Sequence, residues 1–273
     1  MDNIEHISLL AKTTLHEDLG TGDITAQIIP EHYQASANII SNEDMILCGV
    51  AWADQVFALC DPNIDICWKY NDGDQVNKNS VLCEIKGSSR HILSAERSAL
   101  NLLQTLSATA TITAKYVKKL KQLSLLDTRK TIPGLRFAQK YATKIGGATN
   151  HRLGLYDAFL IKENHILACG SIAQAVAKAR KLKPKLKIEV EVENLSELKS
   201  ALATDCEMIM LDNFTVEEIK QAVALNQKQC LLEISGNVNL NNISQYDNLG
   251  ADFISVGALT KDIKSIDLSL RFN

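Results

Sequence analysis

The sequence predicts an α/β protein whose second half is a truncated or open β/α barrel with parallel strands. From Leu125 onward, apolar runs of strand length (LLDTRK, DAFLIK, KIEVEVEN, EMIMLDN, CLLEISGN and DFISVGAL) alternate with amphipathic helical segments (SIAQAVAKARKLK, LSELKSALA and VEEIKQAVALNQ). Parallel strands need such crossovers, because no tight turn can join them. Each run also ends in a polar or glycine group: Arg129 and Lys130, Lys162, Glu191 and Glu193, Asp212, Ser235 and Gly236, then Gly257. A β/α barrel keeps its active site at strand C-termini and usually binds phosphate at the last strands. The stretch from Asp127 to the end falls well short of the ~250 residues of an eight-unit barrel, which favours a truncated or open form.

Ahead of the barrel, the first ninety or so residues mix an amphipathic opening helix with short alternating stretches, SANIISNEDMILCGV and DGDQVNKNSVLCEIKG. The second reads as a strand pair turned at Asp72-Gly73. A long helix is expected from Ser94 to about Leu120, with Ser94 as N-cap and lysines at its far end, linking two domains. Arg97 then falls in the first turn, where a cation opposes the helix dipole. It either pairs with Glu96 or a nearby loop, or reaches for an anionic ligand.

The bulk numbers exclude several classes of function. With 273 residues and 46% hydrophobic content the chain buries a real core, as one large domain or two modest ones. A net charge of -3 with 22% charged residues gives no global attraction to nucleic acid or an anionic membrane. No run approaches the ~18 apolar residues of a membrane span, and the N-terminus has no signal-peptide pattern, so a cytoplasmic location is expected. The seven cysteines are scattered, without a zinc or redox spacing, and read as reduced small hydrophobes.

Charge is instead concentrated locally. Between Thr128 and Lys162 lie seven Lys or Arg (129, 130, 136, 140, 144, 152 and 162) against one acid, Asp157, a balance of +6. Beside the glycines of GGATNHRLG and two strand ends, this points to an anion pocket, the competing explanation being a solvated basic face. Arginine suits a carboxylate because its planar fork grips both oxygens, so Arg129 and Arg152 are the foremost candidates. His151 could donate to a carboxylate or carry a proton, or be structural. KIEVEVE alternates, with Ile188, Val190 and Val192 on one face and Glu189, Glu191 and Glu193 on the other. Inward carboxylates in a barrel need a cation partner. Glu191 with Asp212 on the next strand suggests Mg2+ shared with a ligand's phosphates, against carboxylates kept only for salt bridging. The small residues of EISGN and SVGA let backbone amides approach a phosphate.

Along nearly its whole length the chain resembles the quinolinate phosphoribosyltransferase family, through EDLGTGDIT, AERSALNLLQ, DTRKTIPGLR, GGATNHRLGLYDAFLIKENH, IEVEVEN, MLDN, EISGN and ISVGALT. The resemblance implies a type II phosphoribosyltransferase: an N-terminal open α/β sandwich over 1–105 and a C-terminal incomplete barrel, the catalytic domain, over 106–273. A return of the C-terminal segment to the first domain is left open. It implies a homodimer with shared active sites, larger assemblies being left open, and no nucleic-acid or membrane partner. Arg129, His151, Arg152 and Lys162 would bind quinolinate, with Arg97 supplied by the neighbouring subunit. Thr128, Lys130, Glu191, Asp212, Ser235, Gly236, Asn237, Val256, Gly257 and Ala258 would hold phosphoribosyl pyrophosphate, with Mg2+ on Glu191 and Asp212. The catalytic set would be Lys130, Lys162, Glu191 and Asp212. The implied reaction joins quinolinate to the ribose phosphate with loss of CO2, giving nicotinate mononucleotide and pyrophosphate. Ile132, where a second Thr is expected, and Gly-Gly-Ala, where a third Gly is common, depart from the pattern and leave the charged positions untouched. Two other readings stay open: a molybdenum-transport-associated relative of the same fold, and a non-catalytic phosphosugar-binding barrel.

Overall fold

The computed structural model describes residues 3–273. It divides into two compact units. The first comprises the chain up to Ala114, Ile132–Gly147 and Asp262–Asn273; the second comprises Lys115–Thr131 and Ala148–Lys261.

The first unit is built on a four-stranded antiparallel sheet of β1 (Gln34–Ser41), β3 (Asp65–Trp68), β5 (Val81–Ser88) and β12 (Leu268–Phe272), in the order β12-β1-β5-β3. Helices α1 (Asn3–Leu19), α2 (Val50–Cys60), α3 (Ser89–Val117) and α4 (Arg136–Ile145) supply the other layer. Trp52, Phe57, Ile39, Ile85, Leu100, Leu103, Ala138 and Leu268 share one core. Short strands β2 (Met45–Ile46) and β4 (Gln75–Val76) form a separate antiparallel pair.

Three local expectations are corrected here. The stretch after Asp72-Gly73 is not a strand pair, because β4 bonds to β2 while β5 bonds to β1 and β3. Asp72 acts elsewhere: its carboxylate accepts from the Gly49 and Val50 amides and so caps α2, whose own N-cap residue is a glycine. Helix α3 begins at Ser89, so Ser94 is interior and donates to Asp23, and Arg97 lies beyond the first turn, free of the dipole penalty.

Two segments beyond residue 106 lie with the first unit, the second of them the C-terminal return left open by the sequence. Residues 132–147 and 262–273 belong with the first unit because α4 buries Ala138 and Ala142 in its core and β12 pairs with β1 from Ala37↔Phe272 to Ser41↔Leu268. A short amphipathic helix such as α4 does not announce which core it joins.

The second unit is the incomplete barrel. Its strands are β6 (Ser124–Leu126), β7 (Phe159–Ile161), β8 (Ile188–Val192), β9 (Met208–Asp212), β10 (Leu231–Ser235) and β11 (Phe253–Ser255), one from each predicted apolar run. They form one sheet in the order β6-β11-β10-β9-β8-β7, every pairing parallel. Helices α5 (Glu163–Cys169) and α6 (Ile172–Leu182) follow β7, α7 (Leu195–Leu202) follows β8, α8 (Val216–Asn226) follows β9 and α9 (Ala258–Lys261) follows β11, while a 3-10 turn, Ile243–Gln245, follows β10. Side-chain caps start three of them: Ser171 accepts from Gln174 N, Asn194 from Ser196 N and Glu197 N, and Thr215 forms a reciprocal capping box with Glu218. Among the described residues no helix is long and apolar enough to cross a membrane, and all seven cysteines are free thiols.

Candidate active site

Strand register stacks the inward side chains of the barrel in layers. Glu189 lies across from Leu160 and Met208; Glu191 from Met210, which lies across from Glu233; and Asp212 from Ser235. Because side chains alternate along a strand, Glu189 and Glu191, Met210 and Asp212, and Glu233 and Ser235 each share a face. All five residues of β8 are buried, the valines and isoleucine on one face and the two glutamates on the other. Glu193, expected on the glutamate face, follows the strand and is exposed.

Above these layers, at the strand C-termini, opens a cavity of about 410 Å³ lined by Asp127, Thr128, Arg129, Lys130, His151, Arg152, Leu160, Lys162, Glu191, Met210, Asp212, Glu233, Ser235 and Ser255. It gathers four of the seven clustered cations. The other three, Arg136, Lys140 and Lys144, lie on α4 in the first unit, and Lys140 is 98% buried there. The charge run therefore overstates the pocket, since two different units draw on it.

One end of the cavity is cationic. Burial, then the adjacent Arg129, hold the Arg152 pKa below the ordinary guanidinium value. The charge on Arg152 is thus disfavoured by its setting, an arrangement that an incoming anion relieves. Lys162 forms an ion pair with Glu191 at the tip of β8. The loop carrying His151 and Arg152 is held by Asp127, fully buried, which accepts from Asn150 Nδ2 at 2.6 Å and His151 N at 2.9 Å. Asp157 then accepts from Leu153 N and Gly154 N.

His151 turns its ring toward the buried glutamates of the barrel interior. Its Nε2 lies 2.8 Å from Glu189 Oε2 and 3.3 Å from Glu233 Oε2, and its Nδ1 accepts from Arg152 N at 2.8 Å. Burial opposes charge on this ring, yet Glu189 and Glu233 raise its pKa to about 10. Burial, then Glu233, lift the Glu189 pKa to about 7. The Arg152 amide pulls the other way: a doubly protonated ring would place two hydrogens between Nδ1 and that nitrogen, so the geometry favours the neutral ring.

The ends of β9 and β10 combine carboxylates with close backbone. Asn213, in left-handed conformation, donates through Nδ2 to Asp212 and accepts at Oδ1 from Asn237, linking the ends of β9 and β10. Gly236 sits at φ +98°, and a Cβ there would lie 2.2 Å from Asn213 Oδ1. Gly257 lets Lys130 pass, since a Cβ would meet Lys130 Cδ at 3.1 Å. Thr260 Oγ1 donates to the Lys130 carbonyl, and Lys130 N donates to Thr128 Oγ1. Gly236, Asn237, Val256, Gly257 and Ala258 are not among the residues that line the cavity, though Ser235 and Ser255 beside them are. Arg97 lies on α3 in the first unit, 53% exposed, with Nη2 2.8 Å from Glu96. Asp127, Glu189, Asn213 and Glu233 were not among the expected site residues. The signal that could have found the last was its spacing: Glu233 precedes Ser235 by two and shares its inward face.

An incomplete β/α barrel with a cationic, carboxylate-edged cavity at its strand ends is an anion-handling enzyme of the phosphoribosyltransferase type. Models of the quinolinate phosphoribosyl transferase C-terminal and N-terminal domains match residues 109–271 and 23–107. The solved nicotinate-nucleotide pyrophosphorylase from Francisella tularensis is 49% identical, superposes with a TM-score of 0.97, and is covered over 98% of its length by all of this chain. The probable carboxylating nicotinate-nucleotide pyrophosphorylase of Bacillus subtilis is 40% identical over 257 residues, 93% of this chain and 89% of its own. The Mycobacterium leprae enzyme is 38% identical over 270 residues, 95% and 94% of the two chains. This chain belongs to the quinolinate phosphoribosyltransferase family.

Proposed function

We propose that the chain transfers the phosphoribosyl group of 5-phosphoribosyl 1-pyrophosphate to quinolinate with decarboxylation, yielding nicotinate mononucleotide, pyrophosphate and CO2. The observation that carries this reading is Arg152, its charge disfavoured by burial and by the adjacent Arg129, in one cavity lining with Lys162, Glu191 and Asp212. A rigid aromatic dicarboxylate neutralises the two guanidinium groups. The carboxylating names of the relatives support it over the transport-associated and non-catalytic readings.

In this reading Arg129, Arg152 and Lys162 bind and orient the two carboxylates, and Arg97 of a second subunit completes the group in a homodimer. Lys130, clamped by Thr260 and passed by Gly257, meets the departing pyrophosphate, with the amides of residues 235–237 and 256–258 on the phosphates. Glu191 and Asp212 face the developing positive charge on the sugar. After the ring nitrogen has bonded to ribose C1, its positive charge assists loss of the adjacent carboxylate as CO2, while the arginines keep the other. No side-chain nucleophile is needed.

The donor chemistry fits Mg2+: two carboxylates from neighbouring strand ends line the cavity, and that ion takes few protein ligands while keeping waters and phosphate oxygens. Glu191 and Asp212 would hold it, and the ion would supply charge neutralisation to the pyrophosphate. The test is an assay of purified protein for pyrophosphate release that requires quinolinate, phosphoribosyl pyrophosphate and Mg2+ together. Release that is indifferent to quinolinate would sink the proposal.

A further inference from the structure

The buried residues beneath the cationic end are unusual in their bonding. Glu233 is fully buried and its carboxylate is met by His151 Nε2 at 3.3 Å and by the Glu189 carboxyl; Glu189 is 5% exposed, and its Oε1 has no hydrogen-bond partner. Leaving carboxylate oxygens unsatisfied in a barrel interior is costly, and stability alone would replace them with apolar side chains of similar size. Their common feature is His151, whose Nε2 faces both at 2.8 and 3.3 Å.

Three ligand atoms this close could in principle hold a metal ion. The other ring nitrogen argues otherwise. A histidine that ligates through Nε2 carries its proton on Nδ1 and donates it onward. Here Nδ1 receives the Arg152 amide, so it is bare and the proton sits on Nε2, aimed between two carboxylate oxygens. The chain of contacts thus runs from Glu189 and Glu233 through the ring to the main chain of Arg152, whose side chain lines the cavity.

We infer that Glu189 and Glu233 are positioning residues for acid recognition: by accepting from Nε2–H they lock His151 in the tautomer whose bare Nδ1 anchors the Arg152 amide and so aims the guanidinium. His151 then acts on the acid at one remove, through Arg152. This inference rests on the dicarboxylate reading of the cavity given above.

The two carboxylates sacrifice stability for this geometry, which gives the inference a signature that an ordinary structural residue lacks. Glu233→Leu, apolar and of similar length, raises the melting temperature while increasing KM for quinolinate about tenfold, with kcat and KM for phosphoribosyl pyrophosphate little changed. Glu233→Gln, whose amide oxygen still accepts from Nε2–H, restores KM. In ring-nitrogen NMR of histidine-labelled protein, the resonances lost in His151→Gln show one protonated and one bare nitrogen at neutral pH. A lower melting temperature with both KM values disturbed, a doubly protonated ring, or Zn2+ or Mn2+ uptake that Glu233→Leu abolishes overturns the inference. If the wild-type protein does not turn over quinolinate, the functional reading fails by itself, and the ring spectrum and melting shift still decide the tautomer.

Discussion

Arg152 holds its charge against both burial and Arg129, and such a residue gains most when a carboxylate arrives. Lysine in its place keeps the charge and loses the fork, so Arg152→Lys should forfeit one charge-assisted hydrogen bond of about 1.5–3 kcal/mol, roughly a 10- to 100-fold rise in KM for quinolinate. Steady-state kinetics with each substrate varied in turn checks this; KM for phosphoribosyl pyrophosphate should move little. At the carboxylate end, Gly236→Ala must be accommodated at φ +98° with a methyl pushed into Asn213 Oδ1. We expect displacement of Asn213, loss of its bond to Asp212, and a fall in kcat of at least about tenfold with the fold retained; unchanged kcat would show that the Asn213 link is dispensable. At this scale the charged residues were legible in the sequence because they close apolar runs. Asn213 and Glu233 were not, because an asparagine in a left-handed turn and a glutamate inside a strand look like a loop and a mistake until register brings their neighbours in.

The approach to β6 shows how a single carboxylate can organise an element boundary. Asp247 accepts from the amides of Lys121, Gln122 and Leu123, just before the first barrel strand. Burial pushes its pKa up, and the amides of Gln122, Leu123 and Lys121 overcome that and hold it below the ordinary carboxylate value. A depressed folded pKa means that this stabilisation is complete above the unfolded carboxylate pKa of about 3.9 and disappears as pH falls through the lower folded value. Asp247→Ala should therefore lower stability by on the order of 2–3 kcal/mol at neutral pH, and the gap from wild type should close in strong acid. Denaturant melts at several pH values measure it; a gap independent of pH would assign the loss to packing instead. The alternation of apolar runs with amphipathic segments revealed all six barrel strands, three of them only three residues long, and helices α6, α7 and α8. It failed at β4, two residues long, and at α4, whose burial is set by a partner surface distant in sequence.

The first unit contains Arg97 and the second contains the cavity, and the sequences of the two units interleave. That interleaving was only partly readable: β12 and α4 return to the first unit through pairings and core contacts that no local pattern records. For the site, the shared-dimer proposal makes a quantitative demand. Arg97 is half exposed and its guanidinium is matched to Glu96 alone in sequence proximity, which leaves it available to a neighbouring subunit's acid. Arg97→Ala and Arg129→Ala chains are each expected to be inactive as homodimers. Random reassembly of an equal mixture places about half of the chains in mixed dimers, each with one site that has lost both arginines and one that has lost neither, so about a quarter of the wild-type rate returns. Co-expression with distinguishable affinity tags, followed by assay of the doubly tagged dimer, isolates that species and should show half the wild-type rate per dimer, or about that. If each chain supplied its own Arg97, every site in the mixed dimer would lack one arginine and no activity would be regained, whatever the degree of exchange.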